Sequence, residues 1–353
     1  MNPLTVDVIK IFTLAVLAFL LAFLFTSVLT HFLYKYKFWK KKVKTKAIDG
    51  GELSVFPKFH SENEIKTPRA GGILFWVTTL VLIFLFFILS EITNIWWLDK
   101  LNFLSRGQTW LPLFALVTAS LIGFFDDFLT VKGLGKYIGG GFSLKTRLLL
   151  IILIGLIGGY WFHFELDWTT LHIPGWGPIE IGILYIPLFV LVMLAVYSGG
   201  VIDGLDGLAG GTFASIFTSF AVIAFWRNQI DLAAFCMVIV GTLLAFLWFN
   251  IPPARFYMSE TGSMGLTATL TVIAFFTDSV LVLPIIGFLL VITSGSVILQ
   301  LLSKKFRKKK LFLATPIHHH FQALGWPHYK ITMRFWLIGA VMAIIGTVIR
   351  LLG

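Results

Sequence analysis

The chain has 353 residues, of which 58% are hydrophobic and only 13% are charged. A soluble domain usually carries about 25% charged residues, so this composition excludes an ordinary soluble protein and indicates an integral membrane protein. The net charge of +11 does not favour nucleic acid as a partner, because the basic residues cluster beside apolar segments, where they meet a lipid bilayer and its anionic headgroups.

Long apolar segments run through the whole sequence. About 20 predominantly apolar residues suffice to cross a bilayer as a helix. On this basis we predict an all-α integral membrane protein with about ten transmembrane helices, forming one polytopic domain over residues 1–353. The predicted helices cover residues 8–34, 70–90, 110–126, 147–164, 183–199, 209–226, 232–249, 262–277, 281–302 and 332–352.

The basic residues are distributed unevenly between the loops. Two basic runs, at 35–46 and 303–310, fall on one predicted side of the membrane, whereas the other side has only scattered lysines and arginines. Cytoplasmic loops carry an excess of Lys and Arg, so we expect both termini outside and the basic runs in the cytoplasm. Their simplest role is to set this topology, and binding of anionic lipids can coexist with it.

The first acidic motif, Asp126-Asp127, stands at the end of the third apolar segment. Acidic side chains at a helix C-terminus oppose the helix dipole. They therefore need either the solvation of an ordinary exposed helix end or a functional reason. Binding of a divalent cation, or action as a general base, would supply that reason.

The stretch 198–211 holds six glycines and two acids, Asp203 and Asp206. An ionised side chain at membrane depth costs about 2.5–3.5 kcal/mol, so the acids need an explanation. Their spacing makes them neighbours on a helical turn, and glycine lets backbone approach a ligand closely. The stretch predicts a site for a nucleotide or for Mg2+, which binds carboxylates together with substrate phosphates. A purely structural turn is the alternative.

A third motif begins at Asn250, just before two prolines that end a helix. Beyond the prolines, Arg255 could meet a phosphate, Tyr257 could stack on a base, and Glu260 could ligate a metal. The Thr-Gly-Ser sequence at 261–263 suits the start of a helix that faces phosphate. The combination predicts a binding segment.

The last motif is the run His318-His319-His320. Consecutive side chains diverge on helices and strands, so the run does not have the usual spacing of a zinc site. Hydrogen bonding to phosphate or proton relay is a better interpretation, and a polar loop is the alternative. In the predicted topology all four polar motifs lie on the cytoplasmic face, which indicates an active site there.

Together the motifs closely resemble the polyprenyl-phosphate N-acetylhexosamine-1-phosphate transferases, over essentially the whole chain. The match runs from Thr67-Pro68 to the segment 334–336, and the histidine run with Phe321 and Trp326 is most similar to the phospho-N-acetylmuramoyl-pentapeptide transferase branch. The resemblance implies a Mg2+-dependent enzyme in the bacterial inner membrane. Its implied reaction transfers phospho-MurNAc-pentapeptide from UDP to undecaprenyl phosphate, giving lipid I and UMP for peptidoglycan synthesis.

The resemblance also implies roles for individual residues. Asp126 matches the base that activates the lipid phosphate, and Glu260 stands where the family usually has a magnesium-binding Asp, with Asp203 as a second candidate ligand. The implied catalytic residues are Asp126, Asp127, Asp203, His318, His319 and His320. The implied substrate-binding residues are Lys145, Gly204, Leu205, Asp206, Asn250, Tyr257 and Gln300. The oligomeric state stays open, with a homodimer as one option.

The chain departs from the family pattern at several positions. Arg69 lies in a segment where the family usually has Thr-Met, Gly200 replaces a usual Asn, and Glu64 stands where a lysine is common. These differences concern substrate recognition more than the type of reaction. They keep a second enzyme in view, one that transfers GlcNAc-1-phosphate or another sugar phosphate to a polyprenyl phosphate.

Two other classes of protein fit the pattern less well. A cation transporter would place its carboxylates near the middle of the membrane on broken helices, whereas here they gather at one face. A non-catalytic lipid-binding scaffold would not need several carboxylate motifs together. Within the enzyme class, a direct transfer and a two-step route through an aspartyl-phosphate both stay open.

Overall fold

A computed structural model describes residues 2–41, 65–135 and 140–353. Glu64 and three lysines of the first basic run, Lys42, Lys44 and Lys46, lie outside the described residues. The helices are α1 (Pro3–Lys35), α2 (Ile73–Ile92), α3 (Trp96–Leu101), α4 (Trp110–Lys132), α5 (Leu144–Tyr160), α6 (Tyr185–Ser198), α7 (Leu208–Trp226), α8 (Ile230–Asn250), α9 (Ser259–Phe276), α10 (Leu283–Ile286), α11 (Phe288–Arg307), α12 (Ile317–Ala323) and α13 (His328–Leu352).

Short elements extend or connect these helices. A π-helical turn, Trp161–Glu165, continues α5, and two 3₁₀ turns, Gly182–Leu184 and Gly199–Ile202, flank α6. A small antiparallel hairpin of β1 (Thr170–Ile173) and β2 (Gly177–Glu180) pairs Thr170 with Glu180. The hairpin is the one departure from an all-helical structure in the described part of the chain.

Nine helices in the described ranges are long and apolar enough to cross a membrane. This confirms the predicted class of multi-pass helical membrane protein. Three predicted segments differ in detail. The segment at 110–126 continues to Lys132 as α4, so Asp126 and Asp127 lie within the helix and not at its C-terminus, where the sequence predicted them. The segment at 281–302 is divided at Gly287 into α10 and α11, and the segment at 262–277 forms α9, which is not among the nine.

Helix α9 lies at the centre of the bundle. Every one of its residues except Glu260 is buried. Beyond its first turn, threonines of α9 tolerate burial because their hydroxyls donate to carbonyls of the same helix, as Thr267 does to Ser263 at 2.6 Å and Thr269 to Gly265 at 2.7 Å. A central helix of this composition is enclosed by protein rather than exposed to lipid.

Small residues allow helices α2 and α4 to contact the first turn of α9 backbone to backbone. A Cβ on Gly72, which directly precedes α2, would overlap the backbone of Gly262, and a Cβ on Gly123 of α4 would overlap the carbonyl group of Glu260. Glycine permits such close helix contacts in membrane bundles. The contact places the start of α9 directly beside Asp127 of α4.

We predict that Gly123→Ala destabilises the protein by about 1–3 kcal/mol, because the added methyl overlaps backbone atoms that have no room to move. The expected result is a lower melting temperature in detergent, measured by intrinsic fluorescence. Gly295→Ala is the matched control, since a Cβ at that position of α11 meets nothing within 4 Å. Equal melting temperatures for the two variants would contradict the proposed contact.

Candidate active site

A cavity of about 260 Å³ lies at the start of α9. It forms where the end of α6, the start of α7 and the end of α8 meet the segment that precedes α9. Its walls bring together seven residues that the sequence predicted for the site: Asp203, Gly204, Leu205, Asp206, Asn250, Tyr257 and Glu260. The other lining residues are Lys40, Arg69, Gly200, Val201, Ser259 and Ser263.

Asp127 joins α4 to the start of α9. Its carboxylate is fully buried, and one oxygen, Oδ2, accepts from the Ser259 hydroxyl at 2.6 Å and from the Thr261 hydroxyl and N–H at 2.7 and 2.9 Å. The other oxygen accepts from Arg69 Nε at 3.0 Å. The first N–H groups of a helix have no acceptor within the helix, so a carboxylate that accepts from them gives them a partner. Its negative charge also interacts favourably with the positive end of the helix dipole. Asp127 therefore holds the helices together, and its predicted catalytic role stays a prediction.

Asp126 has a different partner. Its side chain is 1% exposed and forms a two-point ion pair with Arg147, from Nη2 at 2.8 Å and from Nε at 3.2 Å. The N–H of Phe142 also donates to it at 2.6 Å. The remaining terminal nitrogen of Arg147 contacts Glu260 Oε1 at 2.7 Å, so one guanidinium connects Asp126 of α4 with the acid at the start of α9.

Ser259 connects this cluster to the glycine-rich loop. Its backbone N–H donates to Asp203 at 2.8 Å, while its hydroxyl accepts from the N–H of Ala70 at 2.8 Å. Ser259 and Ala70 both have positive φ angles, of 55° and 65°. Such a conformation is uncommon for residues other than glycine and often marks a functional site. Burial raises the pKa of Asp203 to about 6, although the Ser259 N–H and the nearby Arg69 charge favour its ionised form.

Asn250 and Asp206 join the loop after α8 to the glycine-rich loop. The Asn250 amide accepts from Gly207 N–H at 2.9 Å and donates to the Phe256 carbonyl at 2.8 Å. Asp206 accepts from the N–H of Ala254 at 3.0 Å. Gly207 has a φ of 76°, a conformation that glycine adopts readily. These bonds give the cavity wall its shape, and contact of Asn250 with a substrate stays a prediction.

The three histidines lie on the short helix α12. The sequence spacing predicted that neighbouring rings diverge, but the ring centroids of His318 and His319 lie only 4.4 Å apart. His318 is fully buried and His319 nearly so, and both pack against Gly204, where an added Cβ would overlap the His318 ring. His319 Nδ1 also lies 2.5 Å from Gln322 Oε1. His320 points away and accepts from the N–H of Leu313 at 3.2 Å. Two of the three rings therefore support the acidic loop.

Comparison with known proteins adds a second line of evidence. The glycosyl transferase family 4 model matches residues 109–278. A protein of Lactiplantibacillus plantarum is 36% identical over 82% of this chain and 86% of its own length, and one of Anoxybacillus flavithermus is 35% identical over 83% and 86%. A Geobacillus protein (strain WCH70) is 32% identical over 95% of this chain and 97% of its own length. All three are named phospho-N-acetylmuramoyl-pentapeptide-transferase.

The chain belongs to the phospho-N-acetylmuramoyl-pentapeptide transferase family. This confirms the resemblance drawn from the motifs. The region matched by the glycosyl transferase family 4 model contains the acids of α4, the glycine-rich loop and Glu260. The histidine run lies beyond that region.

Lys145 and Gln300, which were predicted to bind substrate, do not line the cavity. Lys145 is exposed near the start of α5. The Gln300 side chain accepts from the N–H groups of Leu311 and Phe312, both at 2.9 Å, and donates to the Phe312 carbonyl at 3.2 Å. Gln300 thus holds the segment that precedes α12. Direct contact of either residue with substrate stays a prediction.

The carboxylates suit a magnesium ion that is shared with a substrate. The described residues contain no group of three or more His, Cys, Asp or Glu side chains arranged to hold a metal alone. Mg2+, however, usually binds one or two carboxylates and completes its shell with water and phosphate oxygens. Asp203 and Glu260 both line the cavity, so they fit this kind of site.

Two arginines are central to the site but were not predicted as functional. Arg69 was noted only as a departure from the family pattern, and Arg147 was not singled out. Arg147 stands at the start of an apolar run in α5, directly after Lys145-Thr146. A charge at such a position needs an acidic partner, and this signal could have linked it to the acids of α4.

We predict that Thr261→Val destabilises the protein by about 1.5–3 kcal/mol, because it removes a hydrogen bond to the buried, charged Asp127. Thr269→Val is the matched control in the same helix, since its hydroxyl donates only to a backbone carbonyl of α9. Thermal unfolding in detergent provides the comparison. A Thr261→Val effect no larger than that of Thr269→Val would refute the structural role given to Asp127.

Proposed function

We propose that the protein transfers phospho-N-acetylmuramoyl-pentapeptide from UDP to undecaprenyl phosphate, giving lipid I and UMP. The main support is the relationship to three proteins named for this transfer, one of which matches 95% of the chain. The cavity adds independent support. It combines acids, glycines and an aromatic residue at the ends of membrane helices, which suits a charged nucleotide substrate beside a lipid bilayer.

The nucleotide is proposed to bind along the glycine-rich loop. Gly204, Leu205 and Asp206 form one wall of the cavity, and Tyr257 lines it as well, where its ring can stack on uracil. The His318 ring packs against the Gly204 backbone, so replacing Gly204 with a larger residue would displace that ring. This arrangement leaves the phosphates of UDP to extend towards Glu260 and Arg69.

The proposed cofactor is Mg2+, held by Glu260 and Asp203. When bound, the ion would neutralise charge on the two phosphates of UDP and stabilise UMP as the leaving group. Arg69 lines the same cavity, and its guanidinium remains beside Asp127. It therefore adds a fixed positive charge to the side of the cavity that faces the phosphates.

The reaction is proposed as a direct displacement. An oxygen of the lipid phosphate forms a bond to the sugar-bearing phosphorus, while the bond between that phosphorus and the bridging oxygen of UDP breaks. The bridging oxygen leaves with UMP. Asp126 would take up the remaining proton of the lipid phosphate. Direct attack is favoured over an aspartyl-phosphate at Asp127, because both oxygens of that carboxylate are already engaged by Arg69 and by the start of α9.

The membrane orientation is part of the same proposal. The nine apolar helices found among the described residues support a multi-pass membrane protein, and the two basic runs favour the cytoplasm for the loops around the cavity. A cytoplasmic site in the inner membrane would receive the nucleotide from water and undecaprenyl phosphate from within the bilayer. A homodimer stays a prediction.

The direct test is release of UMP by the purified protein. With UDP-MurNAc-pentapeptide, undecaprenyl phosphate and Mg2+, we expect UMP and lipid I in equal amounts, and none after removal of Mg2+ by EDTA. The same assay with UDP-GlcNAc tests the alternative sugar transfer. UMP release from UDP-GlcNAc alone would replace the proposed substrate, and no release from either nucleotide would refute the proposal.

The role of Asp126 as base has a separate test. Asp126→Asn should lower turnover by about 10²-fold or more, as expected for loss of a general base. Equilibrium binding of UDP should change little. Asp99→Asn, an exposed acid on α3, is the matched control and should keep full turnover. Near-full turnover by Asp126→Asn would show that another group takes the proton.

A further inference from the structure

Arg147 lies between two carboxylates that come from different helices. It binds Asp126 through two nitrogens, at 2.8 and 3.2 Å, and Glu260 through the third, at 2.7 Å. The Arg147 side chain is only 11% exposed. Its guanidinium therefore occupies the space between these acids, at the edge of the cavity that Glu260 lines.

The two arginines of the site have different surroundings. Arg69 pairs with Asp127, whose other oxygen is held by the start of α9, so this ion pair is part of the permanent structure. Glu260, by contrast, has Arg147 as its hydrogen-bond partner among the described residues, and its side chain is 24% exposed. The contact between Arg147 and Glu260 can break without disturbing the attachment of α9 to α4.

A guanidinium and a divalent cation cannot share the gap between these two acids. Two positive groups a few ångströms apart repel strongly where the dielectric constant is low. A cation held by Glu260 and Asp203 would share the Glu260 carboxylate with the guanidinium, which lies 2.7 Å from Glu260 Oε1. The two positive groups therefore compete for Glu260, and the cation binds more tightly once the guanidinium has moved away. Arginine has an alternative partner in a substrate, because its planar fork binds phosphate as readily as carboxylate.

We propose that Arg147 is a positioning residue that couples cation binding to nucleotide binding. Without substrate, Arg147 occupies the gap between Asp126 and Glu260 and weakens the binding of divalent cations. When a nucleoside diphosphate binds, Arg147 moves to its phosphates and leaves the Glu260 carboxylate to the cation. The inference takes the identity of its two ligands, a divalent cation and a nucleoside diphosphate, from the proposed function. It predicts that each ligand strengthens binding of the other.

The test measures metal binding without catalysis. Mn2+ is the probe, since the electron paramagnetic resonance signal of free Mn2+ gives its dissociation constant for purified protein in detergent. Without nucleotide, Arg147→Gln should bind Mn2+ at least about fivefold more tightly than the natural protein, the lower end of usual coupling between sites. Addition of UDP should then strengthen Mn2+ binding less in the variant than in the natural protein.

Lys132→Gln is the matched control. Lys132 is an exposed residue in the last turn of α4, the helix that carries Asp126, so its loss removes the same charge from the same region. We expect its Mn2+ affinity to equal that of the natural protein. A gain in affinity as large as that of Arg147→Gln would point to a general charge effect and overturn the proposal.

Arg147→Lys gives a second, milder change. Its ammonium is a point charge that lacks the planar fork needed to bind both acids, so its Mn2+ affinity should fall between those of the natural protein and Arg147→Gln. If Arg147→Gln does not fold, a Mn2+ affinity of Arg147→Lys no higher than that of the natural protein overturns the proposal. Unchanged or weaker Mn2+ binding by folded Arg147→Gln does the same. Failure of the proposed function would appear separately, as absent UMP release.

Discussion

The buried carboxylate of Asp127 is the interaction on which the site depends. One of its oxygens accepts three hydrogen bonds from Ser259 and Thr261, and the other pairs with Arg69. These contacts attach the first turn of α9 to α4 and to the segment before α2. This attachment also positions the other acids. Asp126 directly precedes Asp127 in the chain, Glu260 lies between Ser259 and Thr261, and Asp203 accepts from the Ser259 N–H.

Compensation of charge explains how several acids share a small volume among apolar helices. A buried carboxylate without a partner is strongly destabilising, and removal of one partner of a buried ion pair costs about 3–5 kcal/mol. Here Asp126 and Asp127 each have an arginine, and Asp203 has a backbone N–H. Glu260 is the most exposed acid of the ion-paired cluster and shares its guanidinium with Asp126. Glu260 is therefore the acid best placed to exchange the Arg147 guanidinium for a metal ion.

Much of the fold and the acidic motifs could be predicted from sequence, because apolar length and residue type are local signals. Hydropathy placed the helices, and the acids with the glycine-rich loop indicated the site. The partners of those acids could not be predicted in the same way. Arg147 is 21 residues from Asp126 and 113 from Glu260, and only packing of α5 against α4 and the start of α9 brings them together. The hydrogen bonds of the Asn250 and Gln300 amides to backbone groups of neighbouring loops were equally out of reach of the sequence. Contact of these two residues with substrate stays a prediction.

A structure of the protein with UDP and Mn2+ would test most directly whether this cluster is the active site. Anomalous scattering locates the manganese ion, and density for UDP locates the uracil and phosphates. The arrangement described here predicts manganese in contact with the Glu260 carboxylate and uracil beside Gly204 and Leu205. It also predicts Asp127 still bound to the start of α9. Manganese and UDP bound together elsewhere, with the cavity at the start of α9 unchanged, would contradict it.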